Sequence, residues 1–146
     1  MDYSRLPAVW SLIVIDGDPG AGKTTLAKEM VNDLKAKRIS FDDYLPKVLG
    51  DERPYLEKLD CKSLQNEILA SGPRVIAEGV LALKVLKKIG VRYDFHIFMK
   101  RVKDSLGWEI GLYLDERTKP PKSKFWQEIV LYYREYKPFE ICNYEL

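Results

Sequence analysis

Cysteine and histidine are almost missing from this 146-residue chain, which holds two of the first and one of the second. Cys61 and Cys142 stand far apart with no CxxC spacing, so neither a zinc site nor a disulfide framework is expected, and a reducing cytoplasm suits the chain. No apolar run approaches the ~20 residues needed to cross a bilayer. The opening MDYSRLPAVW also lacks the apolar stretch behind a basic start that marks a secretory leader, so no membrane partner is expected. Charge of one sign is scarce as well: 24 Lys and Arg against 22 Asp and Glu leave +2. That balance argues against a dedicated nucleic-acid binder, though not against a nucleic-acid substrate. Repeats, low-complexity tracts and the guanine-reading NKxD are absent, the last arguing against a GTPase switch. What is present, 46% hydrophobic and 32% charged residues, suffices for one globular domain over residues 1–146.

The hydrophobic pattern changes period along the chain. WSLIVID is a short β-branched run ended by glycines, as in a buried parallel strand. Leu26, Ala27, Met30, Val31 and Leu34 then recur at helical spacing to about residue 37. KRISF predicts a second strand, and residues 47–60 an irregular charged loop. Leu64, Ile68 and Leu69 give a modest helical face that stops at SGP. RVIAEGVLAL predicts a strand ending near Glu78 and a helix to about residue 89, and DFHIFMK a fourth strand. Helices are expected over about 103–116 and about 123–137, separated by a proline-bearing segment. Strands alternating with helices imply an α/β fold with a parallel sheet covered on both faces, whose ligand sites lie at the carboxyl ends of the strands.

GDPGAGKT, between the first strand and the first helix, matches GxxxxGK[ST]. Gly17, Gly20 and Gly22 permit backbone angles that turn successive N–H groups, those of Asp18 and Ala21 among them, toward a phosphate chain. The helix start at Lys23, Thr24 and Thr25 adds a positive dipole end. Lys23 is expected on the β and γ phosphates of ATP, or of GTP in its place, and the Thr24 hydroxyl on Mg²⁺.

Two other strand ends carry acids. SFDDYLP places Asp42 where a carboxylate can take the proton of an attacking hydroxyl, with Asp43 as a neighbouring or capping group. Glu78, ending a very apolar strand, is expected to serve a metal or its water, since an unpaired buried carboxylate is costly. His96 lies within a strand and is expected to pack rather than to catalyse. Arg117, Lys119, Lys122 and Lys124 make a basic loop, either a solvated connection or a small lid over about 115–124 that brings cations to the moving phosphoryl group. Phe125, Trp126 and Tyr133 read as core, with an aromatic at the edge free to stack on a base. These residues leave three functions open: a small-molecule kinase, a nucleotide-binding module without transfer, and a kinase acting on a polynucleotide end.

GDPGAGKTTLAKEM, ISFDDYLP, VIAEGVLAL and, more loosely, RTKPPKSKFWQEIVLYYREYKP resemble, in this order, the P-loop nucleoside kinases of the uridine kinase and nicotinamide riboside kinase group. The resemblance implies a five-stranded parallel sheet of order 2-3-1-4-5, ATP and Mg²⁺ as cofactors, and a small hydroxyl acceptor. It implies Asp42 as general base, Glu78 near the metal, Asp60 on the acceptor's ribose hydroxyls and Arg117 as the lid arginine. The chain departs from the pattern in several places, a lid region poorer in arginine among them. ASGPRVIAEG runs through without the base-reading insertion of uridine kinases, and Leu59 stands where riboside kinases present an aromatic.

Overall fold

The computed structural model describes residues 1–103 and 107–146. Its elements in chain order are β1 (Leu12–Gly17), α1 (Lys23–Leu34), β2 (Lys37–Ser40), α2 (Tyr55–Lys58), α3 (Cys61–Ala70), β3 (Val75–Glu78), α4 (Ala82–Ile89), β4 (Phe95–Met99), α5 (Lys124–Tyr136), α6 (Pro138–Ile141) and β5 (Tyr144–Glu145). The strands form one all-parallel sheet of order β2-β3-β1-β4-β5, as the resemblance implies. β1 sits at its centre, in register with β3 through Ile15 and Glu78 and with β4 through Gly17 and Met99. All six residues of β1 are buried, which is why its sequence is a continuous apolar run rather than an alternation.

Alternate side chains of the strands feed two cores. Ile13, Ile15, Ile76, Phe95 and Ile97 pack on Leu26, Ala27 and Met30 of α1. Leu12, Val14, Phe41, Ala77 and Phe98 pack on the other face against α3, α4 and α5. In α4 the apolar residues Ala82, Leu83, Val85, Leu86 and Ile89 are buried, and Gly90, at φ +67°, ends the helix in a left-handed turn. No described helix is long and apolar enough to cross a membrane.

Three local expectations differ from the structure. Residues 109–114 form a 3-10 helix behind an antiparallel bridge from Val102 to Trp108, instead of part of a longer α-helix; residues 104–106 of that expectation lie outside the described residues. Gly107 takes φ +70°, a left-handed angle that an α-helix cannot run through. The charged loop over 47–60 contains the single turn of α2. Leu69 is 69% exposed, so the buried face of α3 is Leu64 and Ile68 alone.

Gly79, at the β3–α4 junction, has no room for a side chain, because an added Cβ would lie 2.4 Å from Phe41 Cδ2. Gly79→Ala is therefore expected to cost about 1–3 kcal/mol through overpacking. Urea unfolding measures it, and an unchanged midpoint would show that the Phe41 contact yields freely.

Candidate active site

The loop after β1 is built around glycines in conformations other residues avoid. Gly17, Gly20 and Gly22 take φ +137°, +73° and +94°. Gly17 is also sterically closed: an added Cβ would sit 2.1 Å from the Met99 carbonyl oxygen of β4. The loop leads directly into α1, whose first residue is Lys23. Lys23 is buried at 7% exposure, and its ammonium donates to the carbonyls of Gly17 at 3.1 Å and Asp18 at 2.6 Å. The cation is thus held inside the loop by the loop's own carbonyls. Burial pushes its pKa below the usual 10.5, against the opposing pull of Asp16, Glu78, Asp18 and Asp42.

Two buried aspartates bracket Gly17, and consecutive tyrosines of α5 hold both. Asp16 accepts from the Tyr132 hydroxyl, from Gly17 N at 2.8 Å and from Ala82 N at 3.3 Å. Asp18 accepts from the Tyr133 hydroxyl at 2.6 Å, from Trp108 Nε1 at 2.8 Å and from Arg101 N at 2.7 Å. Burial raises the Asp18 carboxyl despite these donors, and the tyrosine hydroxyls are pushed well above their ordinary range. The Asp18 side chain is therefore spent on anchoring, and its main-chain N–H, expected to face the phosphates, donates instead to the Met99 carbonyl of β4 at 3.0 Å. His96, fully buried on β4, has both ring nitrogens unpartnered among the described residues and lies 3.6 Å from Asp16. It packs, as expected, beneath the loop.

The glycine loop and the strand ends bring six of the expected residues together, Gly20 and Gly22 among them. Lys23, Thr24, Asp42 and Glu78 line one cavity of about 470 Å³, with Pro19, Gly20, Gly22, Gly79, Val80 and Phe125. Glu78, 3% exposed, accepts from the Thr24 hydroxyl at 3.1 Å and from Arg38 at 2.8 Å. Asp42 lies on the 3-10 turn Phe41–Tyr44 and accepts from the Tyr55 hydroxyl at 2.8 Å. Asp42 and Phe125 also line a second, open groove of about 880 Å³ between residues 51–58 and the first turns of α5. Phe125 thus stands at the edge that the sequence left free for stacking, while Tyr133 is core.

Other expected residues lie elsewhere. Asp60 caps α3, accepting from Ser63 N at 3.1 Å and from its hydroxyl at 2.8 Å, and lines neither cavity. Arg117, with a side chain 91% exposed, is forked onto Asp115 and lines neither cavity. Ala21 N donates to Asp18 O at 3.2 Å within the loop turn, and Thr25 is exposed on α1. Sequence reasoning missed Arg38, Tyr55 and Arg101. Arg101 lies close to the glycine loop, where an added Cβ at Gly20 would meet its guanidinium at 3.1 Å. No motif flags these three, because parallel pairing and loop closure bring them in from a distance.

No known family profile matches the chain. A shikimate kinase of Clostridium beijerinckii is 25% identical over 143 residues, spanning 89% of this chain and 80% of that protein. Among solved structures, a possible uridine kinase from Bacillus stearothermophilus superposes with a TM-score of 0.62 at 15% identity, covering 96% of this chain and 90% of that one. The shikimate kinase of Acinetobacter baumannii in complex with shikimate gives 0.56 at 16% identity, covering 99% and 84%. The fold is that of the P-loop kinases, in agreement with the resemblance carried by the motifs.

Lys23 sets a pH dependence. A polyphosphate arriving beside it favours the protonated ammonium, so binding takes up a proton wherever free Lys23 is partly neutral. If a nucleotide's phosphates bind at Lys23, its affinity is expected to weaken as pH rises, beginning below the ordinary lysine value of 10.5. Calorimetry across alkaline pH in two buffers of different ionisation heat measures the uptake. A flat affinity with no buffer dependence would contradict it.

Proposed function

We propose that this protein is an ATP- and Mg²⁺-dependent kinase that moves the γ-phosphoryl group to a hydroxyl of a nucleoside or a similar small metabolite. The observation that carries this reading is the convergence of Lys23, Thr24, Asp42 and Glu78 on one cavity that meets a larger groove at Asp42 and Phe125. A donor on one side of Asp42 and an acceptor on the other is the arrangement that direct transfer requires.

The residues present fit the nucleotide and the metal. Gly20, Gly22 and the start of α1 offer a positive cradle, and Lys23 exchanges its two carbonyl partners for phosphate oxygens. Thr24 and Glu78 are already within 3.1 Å of each other and supply two oxygen donors for Mg²⁺, leaving the rest to phosphate and water. Glu78 must then share or release Arg38. Mg²⁺, when bound, supplies charge neutralisation at the β and γ phosphates. In the reaction the acceptor oxygen forms a bond to the γ phosphorus as the bond to the β–γ bridging oxygen breaks, and ADP leaves with that electron pair. The hydroxyl proton passes to Asp42. Lys23 holds the phosphates, and Arg117 closes over them by leaving Asp115, with Arg101 already beside the loop.

The groove favours an uncharged acceptor. Asp42, Asp51, Glu52 and Glu128 line it against Arg53, Lys58 and Lys124, and Arg53 is itself forked onto Asp51. Tyr55 and Phe125, with ring centroids 6.1 Å apart, give it an aromatic wall. A carboxylate acceptor such as shikimate meets net repulsion there, whereas a neutral ring does not. A second reading, a nucleotide-binding module without transfer, is favoured by Arg38 on Glu78 and Arg117 on Asp115, which occupy two working groups. The half-exposed free thiols Cys61 and Cys142 suit a reducing cytoplasm.

Incubation with Mg²⁺ and ATP or GTP, against pooled nucleosides, sugars, vitamins and shikimate, is expected to yield a neutral acceptor carrying one added phosphate by mass spectrometry. Nucleotide binding with no product from any pool would favour the non-transferring module, and phosphorylated shikimate would overturn the neutral-acceptor reading. Asp42→Ala is expected to lower turnover about 10²- to 10⁴-fold while nucleotide binding survives. Unchanged turnover would remove Asp42 from the mechanism.

A further inference from the structure

Asp42 is an exposed residue on a short 3-10 turn, yet a general base must hold its carboxylate within hydrogen-bond reach of the acceptor hydroxyl. Something must restrict its rotamers. Among the described residues the side-chain donor to Asp42 is the Tyr55 hydroxyl, at 2.8 Å on Oδ1. That single contact leaves the other carboxylate oxygen for the acceptor.

Tyr55 is itself placed from a distance. It opens α2, a helix of one turn, and an isolated turn of that length does not sustain itself because nucleation is unfavourable. Pro54 precedes it and offers no side-chain cap. The cap comes instead from Glu128 on α5, which accepts from Tyr55 N at 2.8 Å through Oε2 and from Leu56 N at 3.2 Å through Oε1. Both oxygens of one carboxylate thus hold the first turn of α2. The Tyr55 ring is 4% exposed and lies against Phe125, one turn before Glu128 on the same helix. The chain of contacts runs from α5, through α2, to Asp42.

We infer that Tyr55 is a positioning residue for Asp42, and that Glu128 sets Tyr55 in place by capping α2 from α5. The inference rests on the kinase reading above and goes beyond it by naming what aims the base. Burial and the Asp42 charge push the Tyr55 hydroxyl well above its ordinary range, so it remains a donor throughout the working pH. A tyrosine that only filled the core would need its ring alone; here the hydroxyl ends on the one carboxylate shared by both cavities.

Tyr55→Phe keeps the ring and removes only the hydroxyl. With Mg·ATP as donor, and both water and uridine as acceptor probes, kcat is expected to fall about 10- to 100-fold, with KM for ATP within about twofold. Glu128→Gln is expected to move kcat the same way by a smaller factor. It should also speed hydrogen exchange at the Tyr55 and Leu56 amides, a readout that needs no activity. In an Asp42→Asn background, Tyr55→Phe is expected to add nothing further. If Asp42→Asn abolishes turnover while Tyr55→Phe leaves it intact, the positioning inference falls and the kinase reading stands. If Asp42→Asn leaves turnover intact, Asp42 is not the general base and the inference falls with that role, while transfer itself stands. A full Tyr55→Phe loss persisting in the Asp42→Asn background, or unchanged exchange at the two amides in Glu128→Gln, would likewise overturn it.

Discussion

Two hydroxyls from neighbouring tyrosines on α5 reach two carboxylates on either side of one glycine: Tyr132 to Asp16 and Tyr133 to Asp18. The glycine loop depends on this double anchor. Its glycines permit unusual angles but do not enforce them, and a loop free to sample many conformations gains nothing as an anion cradle. The anchors sit in fully buried surroundings, where each unmade contact would leave a desolvated polar group. Trp108 Nε1 and Arg101 N both donate to the other Asp18 oxygen, Oδ2, and tie the loop to the chain leaving β4. The last long helix, far away in sequence, thereby shapes the first turn.

Most of the sheet was legible because burial on both faces writes itself as apolar runs. β1, β3 and β4 are such runs, and α1 and α4 show the change of period that follows each. β5 was implied by resemblance alone: Tyr144–Glu145 is too short to carry a periodic signal, and its pairing with Ile97 and Phe98 is entirely tertiary. α2 was illegible for the same kind of reason, since its cap lies on α5 rather than in its own neighbourhood. In Asp60 the local and the inherited signals disagree. An aspartate three residues before a serine amide is a helix cap on local grounds, and the structure uses it so.

The site and its surroundings show cations held by the chain's own groups: Lys23 by two carbonyls, Arg38 by Glu78 and, outside both cavities, Arg117 by Asp115. On the proposed reading a polyphosphate would compete for these cations with a stronger charge, and binding would amount to an exchange of partners. Lys23 has the most to gain, because burial has already weakened its hold on the proton. Arg117 stands on the surface, paired with Asp115. The sequence could name Lys23, Asp42 and Glu78 from their strand ends, but not Arg38, which enters through the pairing of β2 with β3.

The central claim is that the main chain and ammonium between Gly17 and Thr24 receive a polyphosphate. Phosphorus-31 NMR of ATP titrated with this protein tests it most directly. The account predicts selective shift and broadening of the β and γ resonances, lost in Lys23→Ala at unchanged fold. Spectra unaltered by the protein, or altered equally by the Lys23→Ala variant, would contradict it.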